Sequence, residues 1–100
     1  MALNAIHPCE HLAEELKELD MSAAELARKI RVPTNRVTQI VNGRRGITGD
    51  TALRLGHFLG TSAQFWLNLQ SIYELRMAQE KAGKYIKTLP RLKRREIAHA

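Results

Sequence analysis

Apolar positions recur along this chain at the three- and four-residue spacing of a helix, and no segment alternates in the two-residue rhythm of a strand. The spacing predicts five helices. The first runs from about Cys9 to Leu19 behind His7-Pro8, with Leu12, Leu16 and Leu19 as its buried stripe and Glu14, Glu15 and Glu18 facing water. After the connector Asp20-Met21, Ser22 with Glu25 three residues later is a capping box, which satisfies free amides at a helix start. Leu26, Ala27 and Ile30 share one face of that second helix. Pro33 stops it, because proline cannot continue a helix and biases Val32 out of helical geometry. A third helix follows from about Thr34 to Val41, apolar at Val37, Ile40 and Val41 and ended by Asn42-Gly43.

Gly43-Arg44-Arg45-Gly46 reads as a loop, and Thr48 caps a fourth helix over about Gly49 to Leu59. Leu53, Leu55, Phe58 and Leu59 are its expected anchors, with Gly60 as C-cap. Thr61-Ser62 opens a fifth helix of roughly twenty residues that reaches about Lys81, before Gly83. Phe65, Trp66, Leu69, Ile72, Tyr73 and Met77 are its expected buried residues. From Lys84 the pattern weakens, and Leu89-Pro90 breaks any helix. The organisation is thus one all-α domain over residues 1–83 and a tail over 84–100.

The second and third helices, joined by a tight turn, form a helix-turn-helix. The third is apolar inside and carries Thr34, Asn35, Arg36, Thr38 and Gln39 on its other face. Amides, hydroxyls and a guanidinium match the hydrogen-bonding edges that bases present in the DNA major groove. These five are the base-reading candidates; the alternative is an ordinary solvated face. Gln39 and Asn35 suit adenine, and Arg36 suits guanine.

Charge sharpens the picture. The chain carries +6 overall, but residues 1–27 hold one Lys against six acids, for −5. Residues 28–54 hold seven basic residues against Asp50, for +6; residues 55–83 balance; residues 84–100 hold six basic residues against Glu96, for +5. Positive charge therefore gathers on the reading half and on the tail, as neutralising DNA phosphates requires. Arg44 and Arg45 are phosphate-contact candidates; Arg28 and Lys29 are weaker ones, and Arg54 could equally pair with an acidic neighbour. The tail's charge is either a phosphate contact or simple solvation.

The fifth helix is longer than a four-helix core needs. Phe65, Trp66 and Leu69 should lock it to the reading unit, while Ile72, Tyr73, Leu75 and Met77 either meet a second copy of the chain or close the monomer core. His7, Cys9 and His11 lie within five residues, yet structural zinc normally takes four ligands and no second cluster supplies the fourth. A helix-entry cap beside a small apolar Cys is the better reading, and no metal or cofactor is expected. No nucleophile elbow, orienting triad or phosphate-cradling glycine loop occurs, so an enzyme is not expected. The lone Cys9, the lack of a membrane-length apolar run and the non-secretory N-terminus point to the cytoplasm.

With His7-Pro8, SAAELARKI, the GRRGIT loop, TALRL and FWLNLQ together, residues 7–80 resemble the HigA antidotes of bacterial type II toxin–antitoxin modules, within the Xre/Cro-like repressor group. The resemblance implies a five-helix, lambda-repressor-like fold. It implies neutralisation of a small RelE-like, mRNA-cleaving toxin (a HigB-like partner) and repression of the chain's own operon by a homodimer on operator DNA. By position, it also marks Ser22 and Ala23 as phosphate contacts, where the amides of a helix start carry partial positive charge. A free-standing Xre-type repressor without a toxin is the alternative. Two departures stand out. The basic tail is one; the other is Arg31, in a turn position where such antidotes usually have Gly, at a cost of order 1 kcal/mol if the backbone there is left-handed.

Overall fold

Four of the five helices, all but the third, begin where a side chain satisfies a first amide. The computed structural model describes residues 7–93, which form α1 (Pro8–Glu18), α2 (Ala23–Ile30), α3 (Thr34–Val41), α4 (Gly49–Leu59) and α5 (Ala63–Ile86), with no strand among the described residues. His7 caps α1: its Nδ1 accepts from the Cys9 N–H at 2.9 Å, and its own N–H donates to Glu10 Oε2 at 3.4 Å. In the Ser22–Glu25 box, Ser22 Oγ accepts from the Glu25 N–H at 3.1 Å while the Ser22 N–H donates to Glu25 Oε1 at 3.0 Å. Thr48 and Ser62 cap α4 and α5 through the amides of Thr51 and Phe65.

The core is one cluster: Leu12 and Leu16 from α1, Leu26, Ala27 and Ile30 from α2, Val37 and Ile40 from α3, Ile47, Ala52 and Leu55, and Trp66. α1 packs on α3 and α5, α2 on α3 and α4, and α4 on α5. Trp66 is wholly buried, yet its Nε1–H reaches Thr61 Oγ1 at 2.9 Å, so the polar atom costs little. His11 meets Phe65 and Trp66 edge-on at 5.0 and 5.4 Å, and His7 meets Tyr73 at 4.5 Å. Both histidines thereby tie α1 to α5. At Gly56 the start of α5 crosses α4 with backbone against backbone: a β-carbon there would lie 2.9 Å from Thr61 O and Ala63 N. No helix among the described residues is long and apolar enough to cross a membrane.

Several expected anchors lie outside this core. Leu19 is exposed because α1 ends at Glu18 and leaves it at the C-cap. Leu53 and Phe58 are exposed because α4 buries Thr51, Ala52, Leu55 and Gly56, and at 100° per residue Leu53 lies about 130° and Phe58 about 90° from that face. On α5 only Trp66 is fully buried; Phe65 and Leu69 pack partly on the core, and Ile72 is exposed. α5 also runs past Lys81 to Ile86, since Gly83 keeps helical geometry rather than the positive φ of a cap. The first three residues of the expected tail, Lys84 to Ile86, are therefore helical. The helix stops before Pro90, where Thr88 Oγ1 donates to Tyr85 O. The end of the tail, 94–100, lies outside the described residues.

The turn between α2 and α3 takes the left-handed backbone that a glycine would favour. Arg31 is the left-handed C-cap of α2, at φ 61° and ψ 52°. Arg54 of α4 reinforces that end, its Nη1 donating to Ile30 O at 2.7 Å and to Arg31 O at 3.3 Å. Replacing Arg31 by Gly removes the backbone strain and keeps both carbonyls in place. Arg31→Gly is expected to stabilise the fold by about 1 kcal/mol, raising the thermal midpoint by roughly 4–8 °C; an unchanged or lower midpoint in a calorimetric scan would show the turn to be unstrained.

Candidate nucleic-acid interface

The exposed side of α3 follows from its buried side. Val37 and Ile40 are three residues apart and sealed in the core, which turns Thr34, Asn35 and Thr38 to solvent. Arg36 and Gln39 lie at the margins and are half-buried. Pro33 offers no side-chain cap, and the first turn of α3 holds no acidic residue. Thr38 Oγ1 donates back to Thr34 O at 3.1 Å, which leaves its oxygen as an acceptor.

Arg36 has an intramolecular partner. Its Nη1 lies 2.9 Å from Asp50 Oδ2, and Arg54 Nε shares the same oxygen at 3.0 Å. Because Arg54 also holds the C-terminal carbonyls of α2, one carboxylate links α3, α4 and the turn. The Arg54 hydrogen bond first, with Arg36 adding to it, holds the Asp50 carboxyl below the ordinary Asp range. Asp50 and this bracing role of Arg54 were not legible beforehand, beyond the possibility that Arg54 pairs with an acid.

Gly43, at φ 74°, ends α3 by donating to Ile40 O at 3.0 Å, and the Arg44 N–H donates to Gln39 O at 2.8 Å. Arg44 and Arg45 then stand exposed in the loop that follows α3. Arg36 and Arg45 line one shallow groove with Gly46, Thr48, Asp50 and Thr51. The loop's far end is fixed by the buried Ile47 and by its N–H, which donates to Gln70 Oε1 of α5 at 2.9 Å.

Ser22 and Ala23 are differently placed. The Glu25 carboxylate already occupies the Ser22 amide, and that bond, ahead of the Ser22 hydroxyl's, holds Glu25 below the ordinary Glu range. A phosphate at the start of α2 would have to share or displace that carboxylate. Arg28 and Lys29 are exposed on α2. Of the expected second-copy contacts, Ile72 and Leu75 are exposed at 53% and 66%, while Tyr73 is half-buried against His7 and Met77 is half-buried. Burial, with the neighbouring Glu10 charge, pushes the Cys9 thiol up, away from a reactive thiolate.

Residues 12–66 match the sequence profile of the helix-turn-helix family. Virulence-associated protein I of Dichelobacter nodosus is 51% identical over 77 residues, spanning 76% of this chain and 71% of that protein. An addiction module antidote protein of a HigA family from Coxiella burnetii, solved as a structure, is 55% identical and superposes with a TM-score of 0.85 over 90% of this chain and 100% of that one. Antitoxin HigA of Pseudomonas aeruginosa, solved with the higBA promoter, is 47% identical, with a TM-score of 0.84 over 90% and 100% of the two chains.

The Asp50 brace has a definite pH range. A depressed folded-state pKa means that the pairing is present above the unfolded Asp value and is lost as pH falls through the lower, folded one. The side-chain NMR signals of Arg36 and Arg54 are thus expected to stay constant from pH 8 to 5 and to move only below about pH 4. A transition centred near pH 6 would contradict the brace.

Proposed function

The chain belongs to the helix-turn-helix family, in its HigA-like antidote branch, and from that premise we propose that it is a cytoplasmic antitoxin that represses its own operon. In this reading a homodimer binds operator DNA, with α3 of each copy in the major groove and the two reading helices about 34 Å apart on an inverted repeat. The observation that carries it is the outward face of α3: Thr34, Asn35 and Thr38 are open to solvent, with Arg44 and Arg45 standing beside them. That the similar Pseudomonas protein was solved with the higBA promoter supports operator binding by this chain. Arg36 contributes once it leaves or shares Asp50, so its contact costs the exchange of one ion pair for another. Ser22 and Ala23 add a phosphate contact at the start of α2 on the same exchange with Glu25.

Dimerisation through α5 is supported by Ile72 and Leu75, apolar and exposed, and by a groove along Leu75, Gln79, Gly83 and Ile86. Tyr73 and Met77 contribute what their half-buried rings and chains leave open. The partner to be neutralised is a HigB-like, mRNA-cleaving toxin of RelE type. The acidic outer face of α1, with Glu14, Glu15 and Glu18, suits a basic protein of that kind.

A gel-shift titration on the chain's own upstream DNA tests the reading. Binding is expected to favour that DNA over a scrambled duplex at moderate salt, and equal affinity would count against it. Asn35→Ala or Gln39→Ala should relax discrimination at one base position by about 1–3 kcal/mol, whereas Arg44→Ala should weaken all duplexes alike and lower the salt slope by about 1. Co-expression with the adjacent small basic reading frame should relieve growth arrest; arrest that persists would leave a repressor without antidote activity.

A further inference from the structure

The string FWLNLQ ends in Gln70, whose side chain has no place in base reading or in the apolar face of α5. It spans from α5 to the loop that carries the two arginines. The Ile47 N–H donates to Gln70 Oε1 at 2.9 Å, and Gln70 Nε2 donates to Glu74 Oε2 at 2.8 Å. The second bond fixes which way the carboxamide points, oxygen to the loop and nitrogen along α5. Gly46 lies under the same group: a β-carbon there would sit 3.0–3.1 Å from all three of its outer atoms. At the near end, Gly43 and Arg44 are bonded to the last turn of α3. The strings GRRGIT and FWLNLQ are thus two halves of one contact, the first supplying the arginines and the missing side chain, the second the amide that fills the space.

We propose that Gln70 is a positioning residue for DNA binding: it holds the far end of the loop 43–47, so that Arg44 and Arg45 meet the phosphate backbone already ordered. This rests on the operator reading but makes a separate claim. The buried Ile47 side chain also pins the far end, but the Gln70 bond fixes the backbone there. A loop whose backbone is bonded at both ends loses less freedom when it docks than one bonded only at Gly43 and Arg44. Phosphate contacts carry no sequence information, so the effect of Gln70 falls equally on cognate and unrelated DNA.

Fluorescence anisotropy of the full chain tests this on two labelled duplexes, the chain's own upstream DNA and a scrambled version, across a salt series. Gln70→Leu is expected to weaken binding to both by about 5- to 20-fold and to flatten the salt dependence. Exchange of the Ile47 amide hydrogen should speed up. Gln70→Glu combined with Glu74→Gln reverses the direction of the second hydrogen bond and keeps the first, and it should recover most of the loss. In a background of Arg44→Ala with Arg45→Ala, adding Gln70→Leu should change affinity by less than about twofold. Gly46→Ala, which pushes the carboxamide aside by a few tenths of an ångström, should act in the same direction more weakly; it serves if Gln70→Leu does not fold. Wild-type affinity and slope in Gln70→Leu would overturn the proposal. So would a loss that persists in full without the arginines, or a paired swap that recovers nothing. A wild-type chain with no preference between the duplexes would sink the operator reading instead, while the Gln70 effect would still be measured on both.

Discussion

The arrangement depends on two side chains, Val37 and Ile40, being sealed in the core. α3 is eight residues long, too short to be stable alone in water, so its packing is what makes it a helix and what sets its rotation. Once those two residues face inward, the three-and-four spacing leaves no choice about what faces out. Burying each is worth roughly 1.5–3 kcal/mol, a large share of the net stability of so small a domain. The same contact therefore supplies both stability and the aim of the polar face.

Around that contact the molecule limits how α3 can move. Arg31 accepts a left-handed backbone to turn the chain, and Arg54 bonds the carbonyls at that corner. Asp50 then ties Arg54 to Arg36 on α3 itself. From the other end, Gln70 of α5 holds the loop that leaves α3. α5 can reach it because Trp66 anchors in the core and Gly56 lets the two backbones touch. A helix that docks into a groove of fixed width gains from being held at both ends, since less order remains to be imposed on binding.

Local chemistry was legible in the sequence, and distant pairing was not. The Ser22–Glu25 box, the stop at Pro33 and the caps at Thr48, Ser62 and Gly60 are decided by residues within a few positions of one another, and all stand where the pattern put them. The left-handed turn could be named as a condition because Arg31 occupies a glycine-like position. Leu53 and Phe58 were misplaced because hydrophobicity alone does not choose between two faces of a helix that is apolar on both. Leu19 failed by a single residue at a helix end. The bonds from Asp50 to Arg36 and from Gln70 to Ile47 span 14 and 23 positions, and neither leaves a periodic signature. The hint for the second was the joint presence of GRRGIT and FWLNLQ, which is legible as a resemblance but not as a contact.

Whether the outward face of α3 is what meets DNA is decided by amide chemical-shift changes as the full chain is titrated with its own upstream duplex. The largest changes are expected at Thr34, Asn35, Thr38 and Gln39, followed by Arg44 and Arg45, with the buried residues of α1 and α4 nearly still. Changes centred on α5, with α3 unmoved at saturation, would contradict that contact.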